Sequence, residues 1–540
     1  MKCIELFAGC GGLSVGLESI GFELVFANEL SPMAGETYAY NLLGEDLKKL
    51  GEEGQQASNV LWISSKHDRN NLSARLRENP QEAPPFEKGR GDLAQVNSIT
   101  DIDGKLLVGS IVELNRFLKK NKKIADEIEG LDVDLVSGGP PCQSFSLAGL
   151  RQHDNARNTL PMDFADFVGI VRPKIALLEN VSGILRAFNL PDGKHYAWFE
   201  VARAFASKNY YPLCLHVNAK NACAAQNRPR FIMLAMRDDV FNSILAGENE
   251  NELKEALKQV KNFCEKKKPQ PFLDLRFHDI EKEPMFFKHP ILKSLNQCPS
   301  NINWHTVKDA IDDLSECADS QGSSKYLNII KRRFPEKKYN NVAHKTSHNH
   351  EHRSNNALVQ RRFRVYQVLA NAKTNDGLPS IEKEVIKFLK DPLSFQLSQE
   401  VIDYLTRQLF LPERDAAFTS VNEVEFIKLI SRKSIEKYLK KLATKKQTQR
   451  ALIASSPAPA ALSIPDDACH YKNSLFRTLT VREMARFQSF PDWFEFRSKV
   501  TTGGQMRRYE VPQYTQVGNA VPPLLGRALG EVINKILVMS

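Results

Sequence analysis

Cys3-Ile4-Glu5-Leu6-Phe7-Ala8-Gly9-Cys10-Gly11-Gly12-Leu13 runs from a short apolar strand straight into a glycine-rich turn. Gly16-Leu17-Glu18-Ser19-Ile20-Gly21 continues as a helix that a glycine ends, and Glu23-Leu24-Val25-Phe26-Ala27 reads as a second strand. Asn28-Glu29 follows, about twenty residues after the turn. Strand, glycine turn, helix, strand and trailing acid is the layout of a nucleoside-binding βαβ unit. The glycines let a ligand approach the backbone, and the acid accepts ribose hydroxyls. The helix N-terminus favours a carboxylate on that ligand. The spacing is not the G-x-G-x-x-G of dinucleotide sites, so a nucleoside without a pyrophosphate is expected. Taken alone, the turn is equally consistent with a tight structural bend.

A second stretch carries reactive chemistry. Val133-Asp134-Leu135-Val136 reads as a strand end, and Ser137-Gly138-Gly139-Pro140-Pro141-Cys142-Gln143-Ser144-Phe145-Ser146 forces a rigid loop with one cysteine at its tip. A thiol beyond the carboxyl end of a strand stands where α/β folds keep their chemistry, and its thiolate is a strong nucleophile. A lone Pro-Cys would more often be a structural turn cysteine. Pro173-Lys174-Ile175-Ala176-Leu177-Leu178-Glu179-Asn180-Val181 reads as a buried strand closed by a carboxylate and an amide. Glu179 is a candidate general acid, although a charge closing an apolar strand is more often its solvated exit. Gln226-Asn227-Arg228-Pro229-Arg230 opens the strand Phe231-Ile232-Met233-Leu234-Ala235. Its two arginines share one side of an extended chain and suit a base carbonyl, a phosphate or a carboxylate. A surface basic pair is the plainer reading of that pattern by itself.

Together these segments resemble the cytosine-C5 DNA methyltransferases of restriction–modification type. The family's Phe-x-Gly-x-Gly-Gly turn stands as Phe7-Ala8-Gly9-Cys10-Gly11-Gly12, and its Pro-Cys-Gln as Pro141-Cys142-Gln143. Its Glu-Asn-Val is Glu179-Asn180-Val181, and its Gln-x-Arg-x-Arg is Gln226-Asn227-Arg228-Pro229-Arg230. Leu479-Thr480-Val481-Arg482-Glu483-Met484-Ala485-Arg486-Phe487-Gln488-Ser489-Phe490-Pro491 and Tyr514-Thr515-Gln516-Val517-Gly518-Asn519-Ala520-Val521-Pro522-Pro523 look like its last two blocks. Gly91-Asp92-Leu93 looks like its cofactor-contact turn after the third strand, behind an insertion at residues 45–89 longer than the pattern needs. The blocks keep the family's order and span residues 1–44, 90–240 and 474–540.

The resemblance implies an α/β fold: a doubly wound Rossmann-like methyltransferase sheet with an inserted, smaller target-recognition domain. The catalytic domain would be residues 1–250, closed by 510–540; the recognition domain 251–474; the return to the catalytic domain 475–540. It also implies S-adenosyl-L-methionine as cofactor and no metal. The cofactor would be held by Phe7, Ala8, Gly9, Gly11, Gly12, Leu13, Glu29, Leu30, Asp92, Leu93, Pro140, Asn519 and Ala520. Gln143, Ser144 and Gln226 would face DNA.

The implied reaction explains these residue types. Cytosine C5 is a poor nucleophile toward a methyl sulfonium. Addition of the Cys142 thiolate to C6 makes the ring an enamine whose C5 can attack. Glu179 would protonate N3, and Arg228 and Arg230 would hold the base O2, with Arg230 also placed to orient Cys142. Loss of the C5 proton and elimination of Cys142 finish the turnover. The base must first leave the duplex, at a cost of a few kcal/mol.

Composition agrees. A chain of 540 residues can bury a large core and make two domains, and a net charge of +10 with a pI near 9.0 suits a polyanion. Nine cysteines without framework spacing suggest a reducing cytoplasm. No signal-peptide pattern and no apolar run of about 18 residues is present, so neither export nor membrane spanning is expected. The chain starts on its first strand, which leaves no room for an amino-terminal regulatory domain and favours a compact microbial enzyme. The expected picture is a monomer in a microbial cytoplasm, associated with the nucleoid. Its partner is double-stranded DNA, and a cognate restriction endonuclease would act separately.

The middle of the chain should hold the target preference. Residues 251–268 look helical, and Trp304-His305-Thr306-Val307-Lys308-Asp309-Ala310-Ile311-Asp312-Asp313-Leu314 resembles the start of the family's recognition region. His344, His348, His350 and His352 follow with one nearby acid, Glu351, and no cysteine, so a DNA-facing loop is expected rather than a metal site. Residues 380–409 and 421–446 show helical apolar spacing. From Arg432 to Arg450 eight Lys/Arg stand against one acid. Lys440, Lys441, Lys445 and Lys446 are expected on the DNA backbone, with a solvated helix face as the equal alternative. An RNA cytosine methyltransferase would share the Pro-Cys and Glu-Asn-Val pair but would not need so long a recognition domain. A catalytically dead scaffold should have lost Cys142, Glu179 or an arginine.

Overall fold

The computed structural model describes the chain apart from residues 142–158, 191–192, 250, 301–302, 316–322, 337–347, 375, 413–425, 445–448 and 461–467. Nine strands form its main sheet: β1 Lys2–Leu6, β2 Glu23–Glu29, β3 Val60–Trp62, β4 Lys105–Val108, β5 Leu135–Gly138, β6 Ile175–Val181, β7 Tyr210–Asn218, β8 Pro229–Arg237 and β9 Phe277–Asp279. Their order is β9-β7-β8-β6-β5-β1-β2-β4-β3. Neighbours pair in parallel except β8, which runs antiparallel to both β6 and β7. The central strands β1, β5 and β6 are apolar runs buried almost throughout, as a sheet covered on both faces requires.

From β1 the chain turns to one side for β2 and later returns on the other side for β5. A crevice opens at the carboxyl ends of the strands where the order reverses in this way. The register fixes what lines it. Leu6 is level with Asn28 of β2 and Gly138 of β5, and Gly138 is level with Leu178 of β6. The next residue on each strand (Phe7, Glu29, Gly139, Glu179) therefore emerges along one edge. The reversed β8 starts where its parallel neighbours end, so Arg230 pairs with Val181 and Ile232 with Glu179.

Helices cover the sheet. α1 (Gly12–Glu18) and α2 (Pro32–Tyr38) follow β1 and β2, while α3 (Ile111–Lys120), α4 (Leu160–Val171) and α5 (Ala197–Ala206) pack side by side. α6 (Glu252–Glu265) buries Leu253, Leu257, Val260 and Phe263 and packs on β7, and β9 then extends the sheet. Residues 251–279 thus pack with the sheet, past the boundary expected at 250.

α7 (Ala357–Thr374), α8 (Pro379–Lys390), α9 (Gln399–Gln408) and α10 (Arg432–Lys441) share a smaller core of their own, with Phe363, Leu369, Ile381, Phe388, Leu405, Ile435 and Leu439 in it. Gln367 on α7 ties this unit to the returning chain: its amide donates to the carbonyls of His470, Lys472 and Leu475 at 2.8–3.0 Å. α11 (Val481–Phe487), α12 (Gln513–Asn519) and α13 (Pro523–Met539) close the chain, and α13 lies against α1.

The His-x-His-x-His segment is packed where it is described. The His350 ring contacts Thr480 Oγ1 at 2.8 Å and the Leu314 carbonyl at 3.1 Å, which replaces the expected open loop at that residue. His344 lies outside the described residues. No helix among the described residues is long and apolar enough to cross a membrane.

Candidate active site

The turn after β1 is held open by its backbone. Phe7 and Gly9 adopt positive φ, 53° and 57°, and a β-carbon on Gly9 would meet nothing within 4 Å. Ala8 N donates to Asn28 O (3.0 Å), so the turn is anchored on β2. The Glu29 carboxylate accepts from Gly9 N and from Ser31 N, both at 2.8 Å. Burial pushes its pKa up, against those two N–H groups. Leu30 beside it is exposed. The chain's end reaches the same place, since a β-carbon on Gly12 would lie 2.3 Å from Val521 O and 3.4 Å from Ala520 Cβ. Phe7, Ala8, Gly9, Gly11, Gly12, Glu29, Leu30 and Ala520 thus gather at one crevice, with exposed Asn519 adjoining. Leu13 is buried below it against Gly526. A carboxylate beside an open turn, with an exposed leucine next to it, is an arrangement that a ribose diol and an apolar base would fit.

The strand pairing beside Glu29 places Asp92 and Leu93 away from this crevice. The strand beside β2 is β4, and Gly109 follows it. Asn28 Nδ2 donates to Leu107 O (2.9 Å) and Gly109 O (3.0 Å), and Gly109 N donates to Glu29 O (2.9 Å). Ser110 then caps α3 by accepting from Val112 N at 3.2 Å. The turn next to Glu29 is therefore Gly109-Ser110, and the expected Asp92-Leu93 stands beyond it, beside β3. The Asp92 carboxylate is buried and engaged by Trp62 N (2.8 Å) and by Arg75 Nη1 (2.9 and 3.1 Å), and Leu93 is in the core. A strand-like run, a Gly-Ser pair and an amphipathic helix marked Gly109-Ser110 in the sequence, but no acid stands there.

On the other side of the crevice, Glu179 and Arg230 form a buried pair, Oε1 to Nε 2.6 Å. A β-carbon on Gly139 would lie 2.8 Å from Glu179 Oε2, so the carboxylate backs directly onto the cysteine loop. Asn180 fixes that loop: its Nδ2 donates to Pro140 O (2.9 Å) and its Oδ1 accepts from Val181 N (2.9 Å). The motif contained Asn180, but its task as a clamp is visible only in the fold. Pro140 is buried by this contact and Pro141 is exposed.

Arg228 departs from its expected contact with the base. It is buried, and its Nη2 donates to Gly518 O and Ala520 O, both at 2.8 Å, so it joins the start of β8 to the closing segment. Gln226 departs likewise: it is fully buried, donating to Pro459 O at 3.0 Å instead of facing DNA. Lys440 and Lys441 are exposed on the last turn of α10. Cys142, Gln143, Ser144, Lys445 and Lys446 lie outside the described residues.

The family profile for C-5 cytosine-specific DNA methylases matches residues 1–60 and 112–535. The chain belongs to that family. It is an S-adenosyl-L-methionine-dependent cytosine-C5 methyltransferase. The unmatched residues 61–111 include all of β3 but Val60, together with Arg75, Asp92 and β4. Similar curated proteins are type II methyltransferases. M.XorII of Xanthomonas oryzae pv. oryzae is 24% identical over 99% of this chain and 84% of its own length. M.AgeI of Thalassovita gelatinovora is 26% identical over 99% of both chains. M.DdeI of Desulfomicrobium norvegicum is 24% identical over 99% of this chain and 88% of its own.

Beneath the glycine turn of this methyltransferase, Glu5 accepts a hydrogen bond from Ser14 Oγ, which lies 3.2 Å from the Tyr38 hydroxyl. Burial pushes the Glu5 carboxyl up to about 8. Gln516 locks α12 onto α2: its Oε1 accepts from Thr37 Oγ1 (2.6 Å) and its Nε2 donates to Met33 O (3.1 Å).

Proposed function

We propose that this methyltransferase acts on double-stranded DNA, turning a cytosine of a specific sequence out of the helix and methylating its C5 through a covalent Cys142–C6 adduct. We infer further that it is the modification enzyme of a restriction–modification system, as the naming of its relatives suggests. The observation that carries the reading is the Glu179–Arg230 pair, set against Gly139 and the Asn180-clamped Pro140, two residues ahead of Cys142.

S-adenosyl-L-methionine, when bound, supplies the electrophilic methyl group. Glu29 would hold the ribose hydroxyls, the Gly9 side of the turn would give room to the sulfonium arm, and Gly109-Ser110 would close the adenosyl site on the β4 side. Cys142 would add to C6 of the flipped base. Glu179 would pass a proton to N3, so that the ring does not accumulate negative charge. Arg230, now held by Glu179 and the Pro229 carbonyl, would share its fork with O2 of the base. Arg228 holds the cofactor-side segment to the base-side strand and so keeps the two halves in register. The unit with its own core, α7–α10, would read the DNA sequence, a narrower recognition domain than residues 251–474.

Bisulfite sequencing of DNA from cells expressing the enzyme identifies its target cytosine. A duplex carrying 5-fluorocytosine at that position is then expected to trap a covalent complex, because fluorine cannot leave C5 as a proton does. Cys142→Ser should give no complex while binding S-adenosyl-L-methionine within a few-fold of wild type. A complex that survives in Cys142→Ser, or none with the wild type, overturns the assignment.

A further inference from the structure

Seven residues ahead of Arg230, Cys223 sits in the left-handed region with φ 67°. A residue with a β-carbon costs on the order of 1 kcal/mol there, and it stays only where its surroundings hold it. A disulfide to Cys298, 75 residues further on, holds it. His305 points a ring nitrogen to the same spot: the ligating atoms of all three residues lie within 4.8 Å of one another, and all three are buried. Around them, Cys298 N donates to Asn221 O (2.8 Å), Trp304 Nε1 donates to Cys298 O (2.9 Å), and the Lys220 ammonium lies 4.0 Å above the Trp304 ring. What the disulfide pins is the hairpin leading into β8. Ala219 N donates to Arg228 O (3.1 Å), Ala225 N to the Tyr326 hydroxyl (3.4 Å), and Ala458 N to Ala225 O (2.9 Å).

We propose that Cys223 and Cys298 form a thiol–disulfide modification site, exchanging with small disulfides and thiols of the glutathione class, and that its oxidation state sets the seating of the Gln226–Arg230 segment. Among the described residues three ligands meet here, one fewer than the four that closed zinc sites use, and two of the three are joined to each other as a disulfide. The exchange balances. One cysteine gives up its proton, its thiolate attacks the small disulfide, and one small thiolate leaves and is protonated. The second cysteine then displaces the remaining small thiol from the mixed disulfide. Two protein thiols and one small disulfide become one protein disulfide and two small thiols. The His305 ring nitrogen lies within 4.8 Å of both sulfurs and is the base placed to take the first proton. Cys298 is buried and Pro299 next to it is exposed, so the pair lies one residue below the surface.

The effect on turnover rests on the role proposed for Arg230; the exchange does not. The test equilibrates the full-length enzyme with glutathione buffers of graded reduced-to-oxidised ratio, alkylates free thiols, and maps them by mass spectrometry beside methyl transfer and melting temperature. Cys223 and Cys298 should be protected together at oxidising ratios and alkylated together at reducing ones. Reduction should lower turnover several-fold and the melting temperature by several degrees. Cys298→Ala should behave as the reduced enzyme at every ratio. Several results would overturn the proposal: alkylation of the pair at every ratio, one zinc per chain that survives purification, constant turnover while the pair exchanges, or a turnover response that persists in Cys298→Ala and so belongs to Cys142. Full activity in Arg230→Lys would overturn the role of Arg230 and leave the alkylation pattern standing, so the two readings fail separately.

Discussion

Glu5 is enclosed on the central strand, directly under the cofactor turn, with Ser14 as its hydrogen-bond donor. Its carboxyl titrates near 8 in the folded chain against an ordinary value of 4.5. A raised acid gives stability that is fully present below the unfolded pKa and is lost as pH rises through the folded one. The methyltransferase should therefore lose stability progressively from about pH 4.5 to about 8 on account of this group. Glu5→Gln keeps an acceptor for Ser14 and cannot ionise, so its melting temperature should fall less than the wild type's across that interval. Parallel melting curves for the two proteins against pH would show that Glu5 does not titrate there. The sequence indicated which residues matter at this scale more readily than which way they face. Glu179, Arg228 and Gln226 were all legible as polar residues at strand ends. Only strand pairing decides that Glu179 meets Arg230 while Arg228 and Gln226 turn inward to the carbonyls of Ala520 and Pro459.

Where α1 crosses α13, the backbones nearly touch. A β-carbon on Gly16 would lie 2.5 Å from Arg527 N and 2.6 Å from Pro523 O, with no flexible side chain to give way. Gly16→Ala should push the two helices apart at about 1–3 kcal/mol, the usual scale for overpacking. Because the turn before α1 and Ala520 before α13 border one crevice, S-adenosyl-L-methionine binding should weaken along with the melting temperature. Gly247→Ala, where a β-carbon meets nothing within 4 Å, is the control expected to change neither. Isothermal titration of the cofactor checks both variants; a destabilised Gly16→Ala with unchanged affinity would uncouple this crossing from the site. Elements of this kind were well marked in the sequence, since the glycine turn, the two strands around it and the last helix rest on local patterns. The turn that stands beside Glu29 was not. Asp92 had the residue type, but Lys105–Val108 takes the place beside β2, a choice set by long-range pairing and hidden by the insertion before it. The Cys223–Cys298 bond is equally non-local.

At the scale of the whole molecule, one large sheet with its helices bears the crevice lined by Gly9, Glu29 and Glu179, and a helical unit with its own small core stands in the chain between β9 and α11. The net charge of +10 does not say where DNA lies, but the exposed lysines along α10 offer a test. Lys433, Lys437, Lys440 and Lys441 are exposed there, and Lys441 leans over the Tyr438 ring at 6.0 Å. A helix face that only keeps the protein hydrated and one that tracks phosphates give opposite results when neutralised. Each lost phosphate contact reduces the slope of log affinity against log salt by about one unit on duplex DNA. Replacing Lys440, Lys441, Lys445 and Lys446 by glutamine should weaken specific and nonspecific binding alike and lower that slope by up to about four units. The methylated sequence should stay the same, because phosphate contacts position a protein on DNA without reading bases. Binding titrations at several salt concentrations, with bisulfite sequencing of the product, measure both effects. An unchanged slope with full activity would make this run a solvated surface and move the DNA path elsewhere on the helical unit.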